Sequence, residues 1–201
     1  MRNLYQHFKR CQRGVAGVEA AILLPVMIFL IFGCMEMYQY YRAAALMDRV
    51  AFTVANSVSM QQELADKGQC TKTDDICVYG LIAKDLFQPL DYANRGGLVI
   101  SAYAATEPAG KDPVSWKNQS EWSKPYHGVE AGDLDRTSRL TDKKIFPPAV
   151  VGDTVIVVEV FYDYEPFVIS SRFWEALAGT SHMYSRFFFR PRFDDLRNLS
   201  K

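Results

Sequence analysis

An acidic residue set into an apolar run carries most of the chemistry in this sequence. Glu19 is preceded by Val15-Ala16-Gly17-Val18 and followed, from Ala20 to Met35, by residues without a charge (AAILLPVMIFLIFGCM). A carboxylate near the centre of a membrane costs about 2.5 to 3.5 kcal/mol, which marks such a residue as functional by default; nearer the membrane edge snorkelling lowers that cost, and a tolerated interfacial acid is the plainer reading. The second candidate is a cysteine pair, Cys70 and Cys77. In an oxidising compartment these favour a disulfide, worth about 2.5 kcal/mol for so short a ring. Zinc is the alternative, but the spacing does not favour it and no histidine is nearer than His127. The three histidines, His7, His127 and His182, are scattered, and P-loop, GxGxxG, GxSxG and HExxH patterns are all missing from the sequence. Asp74-Asp75 and Asp194-Asp195 could contribute to a calcium site, though acidic pairs in loops are mostly just solvated. The expectation is a protein with no catalytic residues, no metal and no cofactor, hence not an enzyme.

The elements that must hold these residues follow from composition and pattern. The chain has 201 residues, 23 Lys+Arg against 23 Asp+Glu, and 49% apolar residues, so it folds and is neither disordered nor a polytopic membrane protein. Charge balance without a basic stripe argues against nucleic acid as a partner. Four cysteines are too few for a disulfide-built scaffold. The neutral total hides an asymmetry: residues 1–14 hold Arg2, Lys9, Arg10 and Arg13 and no acid.

With residues 15–18 ahead of it, the run to Met35 is 21 residues interrupted only by Glu19, and about 20 residues at roughly 1.5 Å each match a hydrocarbon core of about 30 Å, so the stretch reads as a single transmembrane helix. Tyr38, Tyr40, Tyr41 and Arg42 follow it, an interfacial cluster, and the basic cluster ahead of it places the N-terminus in the cytoplasm and the remainder outside. A buried core helix and a secretory signal peptide are the competing readings. The second would need a shorter apolar region followed at once by small residues, whereas Ala43-Ala44-Ala45 come only after Glu36 and three tyrosines.

The order of features is a basic leader, Arg13-Gly14, Val15-Ala16-Gly17-Val18-Glu19 and the apolar run. It resembles the processing site of Flp-type pilins and pseudopilins. The block RGVAGVEAAILLPVMIFLIFG, with Leu24-Pro25 and with Gly33 followed by Glu36, resembles more specifically the TadE-like family, the TadE and TadF minor pseudopilins of the tight-adherence (type IVb) pilus. The likeness covers residues 13–58. Ala20 stands where the major pilins of this branch place Tyr or Phe, and this departure and the chain length set the sequence apart from them.

The resemblance implies cleavage after Gly14 by a prepilin peptidase, with Val15 as the new N-terminus and Glu19 as the fifth residue of the processed chain. Removal of the leader would leave an amine one helical turn, about 6 Å, from Glu19, close enough for an ion pair within the chain or with a neighbouring subunit. Glu19 is then an intramembrane carboxylate for assembly. The implied partners are the inner membrane, the prepilin peptidase and other pilins, pseudopilins and pilus assembly proteins. The implied location is the bacterial inner membrane, single pass, with a periplasmic C-terminal domain and a role in pilus biogenesis and surface adherence. The alternative is a single-pass envelope protein with an uncleaved leader whose exported domain binds a ligand or partner; a secreted enzyme with a true signal peptide is a third reading.

Within the apolar run Gly17 and Ala21 form a small-xxx-small pair for helix packing, and Pro25 predicts a kink. Ala43, Met47, Val50, Ala51, Val54, Ala55 and Val58 continue at three- and four-residue steps, which predicts one helix from Val15 to about Leu64, ended by Lys67-Gly68-Gln69. The expected organisation is a leader over 1–14, a transmembrane part over 15–42, a soluble part of the same helix over 43–66, and an exported α+β domain over 67–201, pilin-like, in which a small antiparallel sheet packs on the helix. Within that domain the pattern predicts a helix over 78–88, strands over 98–104, 154–164 and 181–190, a helix near 171–177, a loop over 106–148 tied down by Trp116, Trp122 and Tyr126, and a polar tail. The strand over 154–164 is expected to turn Ile156, Val158, Val160, Tyr162 and Tyr164 to a core and Glu159 and Asp163 away from it.

Overall fold

Alanine, leucine and methionine make up about a third of residues 13–59, and such side chains lose little rotamer freedom in a helix. The computed structural model, which describes residues 13–106, 114–127, 138–140, 142–166 and 181–200, forms there a helix of 47 residues, α1 (Arg13–Ser59), with Pro25 inside it. The chain divides into two units, Met1–Tyr41 and Arg42–Lys201, and α1 contributes to both. In the first unit the apolar side chains are exposed around the whole helix: Leu23, Leu24, Val26 and Phe29, which point in four different directions, are 60%, 59%, 51% and 63% exposed.

The second unit is α+β. Its elements after α1 are α2 (Cys77–Leu86), α3 (Tyr92–Arg95), β1 (Gly96–Ala104), β2 (Trp122–His127), a 3-10 turn (Lys143–Ile145), β3 (Thr154–Tyr164) and β4 (Ser181–Phe189). The strands form one antiparallel sheet in the order β2-β1-β3-β4, with Ile100 opposite Val158 and Val158 opposite Phe187. Ala43, Met47, Val50, Ala51, Val54, Ala55 and Val58 make a stripe on α1 that packs in one cluster with Leu98, Ile100 and Ala102 of β1 and Ile156, Val158, Val160 and Tyr162 of β3. Burying this stripe removes apolar area from water at about 25 cal/mol per Å², the main stabilising term for the unit.

Four features differ from the sequence expectation. α1 ends at Ser59 instead of near Leu64. The next helical positions after Val58 on that stripe are Gln61 and Gln62, so the apolar period stops, and Arg192 N donates to the Ser59 carbonyl at 2.9 Å in place of a further turn. The stretch 106–148 is not all loop, because it holds β2. With Ser, Lys and Pro125 in six residues it lacks a strand pattern, yet it lies at the sheet edge, where a proline is tolerated.

The third difference is that the sheet is covered on both faces. Tyr103, Ala105, Trp116, Leu140, Phe146, Val155 and Val157 form a second cluster, and Glu159 and Asp163 are buried with it on that side instead of solvated. The fourth is the tail after β4, which is strapped down: Leu196 is buried, Trp122 Nε1 donates to its carbonyl at 2.9 Å, and Ser200 N donates to Leu64 O at 2.9 Å. The helix expected near 171–177 lies outside the described residues.

Close packing also dictates one glycine. A Cβ on Gly80 in α2 would come within 2.8 Å of the Tyr126 ring of β2, so this contact excludes any larger residue without a shift. Burial raises the hydroxyl pKa of five tyrosines around the core: Tyr79, pushed up to about 12, and Tyr103, Tyr126, Tyr162 and Tyr184, in the last of which the neighbouring Glu159 adds to the effect.

Candidate functional site

Residues 13–41 carry the features singled out by sequence, and α1 places them on one continuous helix. Gly14 and Val15 lie in its first turn. Glu19 is one turn further on from Val15, about 6 Å along the axis, and its side chain is exposed. Among the described residues Glu19 has no hydrogen-bond or ion-pair partner.

Gly17, Ala21 and Pro25 fall four residues apart and share one side of α1, roughly opposite Glu19. A Cβ on Gly17 would meet nothing within 4 Å, so in this chain alone the position is open, as a surface for close helix approach would be. Pro25 removes one backbone donor inside the helix. The helix is long and apolar enough to cross a membrane. From Ala20 to Tyr41 it spans about 33 Å at 1.5 Å per residue, close to a hydrocarbon core, and Tyr38 and Tyr41 are 66% and 63% exposed at its end. These properties are compatible with a single-pass membrane protein. Cys34 is a free, exposed thiol on the same stretch.

The remaining candidates among the described residues belong to the second unit. Cys70 and Cys77 form a disulfide, their Cα atoms 5.1 Å apart. His127 ends β2 and His182 lies on β4, at opposite edges of the sheet, and His182 Nδ1 is 2.7 Å from Asp163 Oδ1; His7 lies outside the described residues. Asp75 accepts from the backbone N–H groups of Gln69 and Cys77. Asp194 and Asp195 line a cleft of about 310 Å³ with Asp153, Thr154, Arg192 and Phe193. Asp153 Oδ2 is 2.9 Å from Arg190 Nη2, and among the described residues no cluster of three His, Cys, Asp or Glu side chains is arranged to hold a metal.

A buried group that sequence reasoning missed is Glu159. It is fully buried on β3, and its Oε1 accepts from Arg139 N at 2.9 Å and from the Tyr184 hydroxyl at 2.7 Å. Its place in a strand that alternates with valines gave it the appearance of a solvent-facing residue; only the layer formed by Trp116, Leu140 and Phe146, drawn from an irregular stretch, turns that face into an interior.

Comparison with known families finds that residues 14–56 match the model described as TadE-like protein. This is the family that the residues from Arg13 through the apolar run resemble. No curated protein and no solved structure shows a significant match to the chain.

Proposed function

From the premise that residues 14–56 are a TadE-like segment, of the kind that relates a chain to the Tad pilus, we propose that this protein is a minor pseudopilin of a tight-adherence pilus assembly system. It is a structural component and not an enzyme. It is inserted with its N-terminus in the cytoplasm and its second unit on the periplasmic side of the inner membrane, and a prepilin peptidase cuts it after Gly14.

The observation that carries this reading is the family match over a helix that begins at the proposed cleavage site and leaves its apolar side chains exposed on every side as far as Tyr41. Cutting removes the four basic residues of the leader and creates an amine on Val15, which pairs with Glu19 of the same chain or of a neighbour in the assembly. In a low-dielectric layer such a pair is favoured over two unpaired charges. Gly17, Ala21 and Pro25, on the other side of the helix, face a neighbouring pilin helix. The second unit then contributes to pilus biogenesis and surface adherence through other pilins and assembly proteins.

The test is Gly14→Leu, followed by immunoblot of membranes from the native host. The account expects an uncut chain that still inserts and leaves pili impaired. Normal processing of this variant would remove the peptidase assignment. Glu19→Gln should spare insertion and cleavage and impair assembly; wild-type piliation in that background would refute the pairing role.

A further inference from the structure

Asp75 lies within the ring closed by the Cys70–Cys77 disulfide and is 2% exposed, a degree of burial that an aspartate tolerates only with partners. Its partners are backbone donors at the two ends of that ring. Oδ2 accepts from Gln69 N at 2.9 Å, one residue before Cys70, and Oδ1 accepts from Cys77 N at 3.3 Å. Further bonds hold the same segment from outside: Ala65 N to Asp74 O at 2.7 Å, Ile76 N to Ala65 O at 2.9 Å, and the Tyr79 hydroxyl to Thr73 O at 3.0 Å. None of these bonds uses sulfur, so all of them are available to the reduced chain.

We propose that Asp75 is a positioning residue for oxidation of the cysteine pair: by holding Gln69 and Cys77 on one carboxyl group it brings the two thiols together before they are bonded. The Cα separation of 5.1 Å lies inside the range that a disulfide requires. Holding the ends of an eight-residue ring in this way removes much of the loop-closure entropy that oxidation of a free chain has to overcome. The reaction itself is exchange with a small-molecule disulfide such as oxidised glutathione. One thiolate attacks the oxidant and releases the first reduced thiol; the second cysteine displaces the other. Two electrons and two protons leave with the two glutathione thiols.

The test equilibrates the full-length chain, in detergent micelles, with mixtures of reduced and oxidised glutathione, and reads the oxidised fraction by thiol alkylation and mass spectrometry. Asp75→Ala should lower the equilibrium constant for oxidation by about tenfold or more, the size expected for losing hydrogen bonds to a charged acceptor. Asp75→Asn, which keeps one acceptor oxygen, should fall between. Asp74→Asn, which makes the same charge change one residue away, should match the wild type. A purely structural role for Asp75 would weaken the oxidised and reduced forms alike and leave the constant unmoved. A folded Asp75→Ala chain within twofold of the wild-type constant would overturn the proposal. If circular dichroism shows that Asp75→Ala does not fold, Asp75→Asn decides, and a wild-type constant for it would overturn the proposal equally.

Discussion

From Val18 to Tyr41 the apolar side chains of α1 are exposed on every side, whereas from Ala43 to Val58 most of the apolar residues form one stripe that is buried against β1 and β3, with Phe52 left exposed. Both stretches belong to one helix. They differ in what surrounds them. A helix with a three- and four-residue period meets a protein surface on one side and water on the other; a helix apolar all round needs an apolar environment all round. Sequence period thus tells which part of α1 stabilises a folded domain and which part needs a membrane or other helices.

The largest expected effect breaks this contrast with a charge. Val54→Asp places an unpaired carboxylate at a fully buried position and should cost more than about 4 kcal/mol, enough to prevent folding of the second unit, as read by circular dichroism and protease resistance. Ile28→Asp should leave the melting temperature of that unit unchanged and lower recovery of the chain in the membrane fraction, by about 2.5 to 3.5 kcal/mol in insertion free energy. If Val54→Asp were tolerated, the buried stripe would not be the core of the unit. Next in size, Met47→Ala should cost about 2 to 5 kcal/mol in urea unfolding, and Leu30→Ala in the exposed stretch should cost nothing there.

A long N-terminal helix, its buried stripe and the strands β1, β3 and β4 were legible in the sequence because each has a strong period or a strong contrast. Thr154 to Tyr164 alternates cleanly and is β3. β2 was not legible: Trp122–His127 has no alternation of its own and is a strand because β1 offers it an edge, Leu98 opposite Tyr126 and Ala102 opposite Trp122. The second cluster was hidden for a related reason, since Trp116, Leu140 and Phe146 are far apart in sequence and come together only over the finished sheet. Glu159 and Asp163 were misjudged along with it.

Smaller effects sharpen the picture of the second unit. Gly80→Ala should destabilise it by about 1 to 3 kcal/mol, because the new methyl group meets the Tyr126 ring; a thermal melt equal to wild type would show that the ring has room to move. The smallest effect at ordinary pH concerns the buried tyrosines. Their folded-state pKa values are raised above the unfolded value, Tyr79 to about 12 from 10.0, so the neutral form is the one the fold prefers. Their contribution is fully present below about pH 10 and is lost as pH rises through the folded values. The melting temperature should be insensitive to these groups between pH 7 and 9 and should fall above pH 10, in step with tyrosinate absorbance; a flat profile to pH 12 would contradict the burial of these hydroxyls.

Cleavage after Gly14 is the central claim, and the N-terminus of the mature chain tests it most directly. Mass spectrometry of the protein taken from membranes of its native host should find a chain that starts at Val15, with or without an N-methyl group. A chain that still starts at Met1 would contradict prepilin-type processing and leave an anchored envelope protein in its place.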